Sequence, residues 1–100
     1  MLESPDVVKL MKQVAAGVLP ASQLVEVRSE PMTDFDGRDV LRITLVLSEE
    51  AAKSFGGERA LNLLTDIRDS LLRKGDERFP LIYYATPADL SDSAMDEDLD

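Results

Sequence analysis

The sequence predicts a single α+β domain of order α-β-β-α-α-β, with a three-stranded mixed sheet and helices packed on one face. Three observations predict it. Apolar residues recur at helical spacing near the N-terminus and again over residues 58–74. Two alternating runs flank a turn at Asp36 and Gly37. A third alternating run, residues 78–86, follows the long helix, and a right-handed crossover sets it parallel to the second strand.

The first helix has a start signal at each of three consecutive positions. Ser4 is an N-cap residue, Pro5 suits the first helical position, and Asp6 complements the positive end of the dipole. Val7, Leu10 or Met11, Val14 and Val18 form its apolar stripe, Gly17 stops it, and Pro20 forces a break.

Register decides what the stretch Asp34-Phe35-Asp36-Gly37-Arg38-Asp39 is. A two-residue turn at Asp36-Gly37 pairs residues whose numbers sum to 73, which sets Val27 against Val46 and inverts the second strand. A three-residue loop, Phe35-Asp36-Gly37 with Gly37 left-handed, makes the sum 72. Val25 then faces Leu47, Val27 faces Leu45, Ser29 faces Ile43, and Glu30 meets Arg42 as an opposite-charge pair. Only the second register satisfies both faces, because a one-residue slip inverts a strand. The stretch is therefore a hairpin turn. A calcium loop would need glycine sixth, where here it stands fourth, and a distal Glu where Leu45 stands.

Ser48 is placed to cap a short helix over residues 49–55, broken by Gly56-Gly57. The long helix buries Leu61, Leu64, Ile67 and Leu71, broadened by Ala60, Leu63 and Leu72, and ends at Arg73, Lys74 and Gly75. In the last strand Phe79, Leu81, Tyr83 and Ala85 are expected in the core. Ile82 and Tyr84 then join Glu26, Arg28, Arg42, Thr44 and Val46 on an open sheet face. Pro80 cannot donate to a ladder, so that strand begins at an edge or pairs only after Pro80.

Charge divides the chain in two. The net charge is −9, yet residues 88–100 hold six acids (Asp89, Asp92, Asp96, Glu97, Asp98, Asp100) and no base. Residues 1–87 are expected to form the folded domain and residues 88–100 a disordered acidic tail. Such a tail serves either solubility or a basic partner, and it repels nucleic acid and membrane phosphates. No run approaches the roughly 20 apolar residues a membrane span needs, so the expectation is a soluble, cytoplasmic protein with no membrane association. The chain has no cysteine and no histidine, which removes thiolate and imidazole chemistry. The serines read as caps or ordinary polar positions, and the acids sit on exposed faces. No enzyme activity, cofactor or metal is expected.

Two resemblances follow from these residues. The element order is that of the type II KH domain, with Gly56-Gly57 where that family carries its GXXG loop, and it is similar to the ribosome-binding factor A family. Gly56-Gly57-Glu58-Arg59 departs from GXXG, and a body of net charge −3 lacks a basic footprint. Residues 66–84 (DIRDSLLRKGDERFPLIYY), after the DGRDVLRITLVL hairpin, resemble small bacterial α/β proteins encoded in pairs with HEPN-type, ribonuclease-like companions. This second resemblance covers roughly residues 25–85 and implies an antitoxin-like companion role. The leading expectation is a non-enzymatic interaction protein that binds a basic protein partner through its tail and sheet face. Arg28, Arg42, Tyr84, Asp96, Glu97 and Asp98 are the candidate contact residues, with Phe79 and Tyr83 as further aromatic candidates. The alternative is a KH-like RNA- or ribosome-associated module. A homodimer through the open face or an edge strand is a third arrangement.

Overall fold

The computed structural model describes residues 2–90 and gives the order α1 (Ser4–Ala15), β1 (Leu24–Thr33), β2 (Asp39–Leu47), α2 (Glu49–Ser54), α3 (Gly57–Arg73) and β3 (Phe79–Ala85). A short 3-10 turn, Ala21–Gln23, leads into β1. The sheet order is β1-β2-β3, with β1 antiparallel and β3 parallel to β2. This is the α+β mixed sheet the sequence predicts.

The hairpin has the register in which paired numbers sum to 72: Val27 faces Leu45, Ser29 faces Ile43, and Glu30 faces Arg42. Gly37 adopts φ 81°, a left-handed conformation that costs glycine little. The Asp34 N–H donates to the Arg38 carbonyl at 2.9 Å, closing the three-residue loop. The Asp34 carboxylate also accepts from the backbone N–H groups of Asp36 and Arg38, each at 2.9 Å. An Asx-type turn thus uses the acid at the start of the stretch to hold the loop. Two details differ from expectation. A bulge between Leu24 and Glu26 pairs Leu24 with Leu47 and turns Val25 out to solvent. Glu30 and Arg42 are register partners without an ion pair, because the Arg42 guanidinium lies over the Tyr83 ring instead.

Helices cover one face of the sheet. The core joins Val7, Met11 and Ala15 of α1 to Val27, Leu41, Ile43 and Leu45 of the sheet and to Leu63, Ile67 and Leu71 of α3. Helix α1 begins at Ser4 with Glu3 as its cap residue, one position earlier than expected, and Pro5 stands in its first turn. A smaller cluster of Leu19, Leu47 and Ala51 seats α2, whose cap is as expected: Ser48 Oγ accepts from the Ala51 N–H at 3.2 Å.

Helix α3 is rotated from the expected phase. Leu63, Ile67 and Leu71 are buried at i, i+4, i+8, whereas Leu61 and Leu72 are exposed. Strand β3 is inverted. Its parallel pairing sets Ile82 with Ile43 and Tyr84 with Leu45 on the helix side, and Leu81 with Arg42 and Tyr83 with Thr44 on the open side. Phe79 and Tyr83 are therefore outside the core, and both are exposed.

The described chain continues past residue 87. Residues 87–90 form a helical turn. The Thr86 N–H donates to Asp89 Oδ2 at 3.0 Å, and the Asp89 N–H donates to Thr86 Oγ1 at 3.2 Å. This reciprocal arrangement is a capping box, with Pro87 at the first helical position.

Candidate functional site

Pairing in the sheet builds the open face in cross-strand rows: Glu26, Val46 and Ala85; then Arg28, Thr44 and Tyr83; then Glu30, Arg42 and Leu81. Residues that face each other across strands are separated by up to twenty in the hairpin and by about forty between β2 and β3. The face carries a groove of about 600 Å³ lined by Arg28, Glu30, Arg42, Thr44 and Tyr83, with Asp89 and Leu90 at one end.

Its side chains are partly organised. The Arg42 guanidinium lies 5.0 Å from the Tyr83 ring centroid, a cation–π contact between two residues that line the groove. Arg28 Nε donates to Glu26 Oε2, and both side chains are about half exposed, so the pair orients the guanidinium more than it stabilises the fold. An aromatic ring, two arginines and the Glu30 carboxylate thus share one shallow concave surface. It can bind a polypeptide segment by stacking and charge pairing.

Arg28 and Arg42 come together as the register requires. Tyr84 does not join them as expected: it contributes to the groove wall, but its ring stands against Phe55 with centroids 5.3 Å apart, and burial raises its phenol pKa. Tyr83 takes its place over Arg42. Asp96, Glu97 and Asp98 lie outside the described residues. The groove's end at Asp89 and Leu90 was missed at sequence level, although Thr86-Pro87-Ala88-Asp89 is a legible capping signature.

At the junction between α2 and α3, Lys53 is exposed in the last turn of α2, whereas Arg59 is engaged. Arg59 donates to the Val18 carbonyl at 3.0 Å and lies 5.2 Å from the Phe55 ring centroid, so it clamps α3 to the end of α1.

The strongest electrostatic arrangement is structural. Asp76 is fully buried and accepts from Arg78 Nε at 2.9 Å and from an Arg78 terminal nitrogen at 2.6 Å. It also accepts from the Leu2 N–H at 3.2 Å, while Arg78 donates to the Leu2 carbonyl at 2.7 Å. The pair clips the start of the chain to the loop before β3. The Arg78 guanidinium beside it holds the Asp76 carboxyl at about 2, against the opposing effect of burial.

Among the described residues, no group of three or more carboxylates stands close enough to hold a metal ion, and no helix is long and apolar enough to cross a membrane. No protein-family model matches the chain. No curated protein and no solved structure matches it either.

Proposed function

We propose that this chain is a non-enzymatic interaction domain that binds a basic protein partner across its open sheet face, in the manner of an antitoxin-like companion. The observation that carries this reading is the lining of the groove. Asp89 and Leu90 line the groove together with Arg42 and Tyr83, and in the sequence they are followed by the acids Asp92, Asp96, Glu97, Asp98 and Asp100. An aromatic–arginine centre with an acidic margin suits a partner segment that carries lysine or arginine among apolar residues. The exposed charges speed encounter, and the stacked pair supplies the buried anchor.

The element order, with β3 parallel to β2, keeps a KH-like RNA-associated module as the second reading. Substitution separates the two. Tyr83→Ala with Arg42→Ala is expected to weaken binding of a protein partner by at least roughly 30-fold, because a stacked aromatic–arginine anchor contributes about 2 kcal/mol or more as a unit. Both side chains are exposed, so thermal stability is expected to change little. Affinity measured by titration calorimetry with the co-purifying partner checks this. Unchanged affinity in the double variant, with RNA binding that falls steeply with salt, would favour the second reading.

A further inference from the structure

We infer that the chain pairs with a second copy of itself along the free edge of β3, joining two three-stranded sheets into one of six strands. This surface lies at the margin of the sheet and adjoins the open-face groove, with which it shares Tyr83 and Tyr84.

Strand β3 is one of the two outer strands, and its sequence from Phe79 to Ala85 contains no charged residue. Outer strands are usually blunted by charge, because their free N–H and C=O groups are a template for another strand. Pro80 removes one donor only, near the start. The other margin is different: β1 is interrupted by Glu26, Arg28, Glu30 and Pro31.

Exposed apolar side chains gather on the same flank. Phe79, Tyr83 and Tyr84 of β3 are 44%, 48% and 40% exposed, and Leu61 and Leu72 of α3 are 66% and 51% exposed. Between the two elements runs a groove of about 360 Å³, almost wholly apolar, lined by Ala60, Leu61, Leu64, Pro80 and Ile82 among others. The outer stripe of α3 and the edge of β3 thus adjoin along this groove, with the Arg68 guanidinium 5.2 Å from the Phe79 ring centroid beside it.

A second copy fits this surface because the strand is self-complementary. Antiparallel pairing about Ile82 sets Leu81 against Tyr83 of the second copy and Pro80 against Tyr84 of the second copy. Even-numbered residues then meet even-numbered ones, so the helices of both copies lie on one side of the joint sheet. No like charges meet along the strands. The three aromatics and two leucines offer on the order of 400 Å² of exposed surface per copy. Two copies, with their paired backbone edges, pass the roughly 1,000 Å² that a specific interface needs. Such a two-fold contact closes on itself and stops at two chains.

Sedimentation equilibrium of the full chain over roughly 1–200 μM tests this, since an interface near the lower size limit dissociates in the micromolar range. The expected mass at high concentration is twice 11.0 kDa. Leu61→Lys with Leu72→Lys, at exposed positions, is expected to raise the dissociation constant at least roughly tenfold while circular dichroism stays unchanged. Val25→Lys with Met32→Lys on β1 is expected to leave it unaltered. A mass of 11.0 kDa throughout, or dissociation by the β1 pair and not the α3 pair, overturns the inference. Hydrogen exchange of the unsubstituted chain gives a reading independent of any variant's folding: β3 amides should gain protection as concentration rises. Protection that appears only on adding a different protein assigns the surface to that protein and overturns pairing between copies.

Discussion

Replacing Asp76 with alanine is expected to destabilise the domain by about 3–5 kcal/mol, the cost of leaving a buried guanidinium without its partner. For a domain of this size the melting temperature should fall by roughly 15 °C or more. The Arg78 side chain is only 8% exposed, so it cannot recover its hydration without moving. The variant also loses the acceptor for the Leu2 N–H, which should loosen the start of α1. Replacing both members of the pair with apolar residues, Asp76→Leu and Arg78→Met, should restore much of the loss, because no orphaned charge remains. Thermal denaturation of the single and double variants checks both expectations.

The same pair fixes how the domain responds to acid. The Asp76 carboxyl lies at about 2 in the folded chain against 3.8 as the ordinary value. A carboxyl with a depressed folded pKa stabilises above its unfolded pKa, and the contribution is lost as pH falls toward the folded value. About 2 kcal/mol is therefore present above roughly pH 4 and disappears between there and pH 2. Asp76→Ala should flatten the stability profile in that window.

Ile67→Ala is expected to cost about 3–4 kcal/mol through lost burial and the cavity left behind, whereas Leu61→Ala should stay within roughly 0.5 kcal/mol. Ile67 is fully buried against the sheet, and Leu61 faces solvent. Urea unfolding at concentrations where the chain is monomeric separates the two, since any contact between copies would add to the Leu61 effect. Equal losses at the two positions would mean that α3 lies on the sheet in the phase its leucine spacing first suggests.

That contrast shows which parts of the fold the residues specify locally. The hairpin register was legible because β1 and β2 alternate strongly, and only one pairing puts Val27, Leu45 and Ile43 on one side. In α3, Leu61, Leu63, Leu64, Leu71 and Leu72 span so wide an arc that two phases satisfy it. The choice falls to the sheet it packs against. In β3 the run Phe79-Pro80-Leu81-Ile82-Tyr83-Tyr84 is apolar on both sides, so a period of two carries no contrast. Its inversion exchanged Tyr84 for Tyr83 in the candidate site, while Arg28 and Arg42, fixed by the hairpin, stayed where expected. The Asp76–Arg78 clip left no local signal. The two residues lie in a loop, and the backbone they hold is at Leu2.

A partner bound at the open face beside an acidic margin is the central claim, and co-purification tests it most directly. The chain, expressed at native level in its host, is recovered at moderate salt in two forms, complete and ending at Leu90. The expected result is one basic protein held by the complete chain and lost or strongly depleted when residues 91–100 are removed. RNA or ribosomal material recovered equally or more strongly with the shortened chain would contradict the claim.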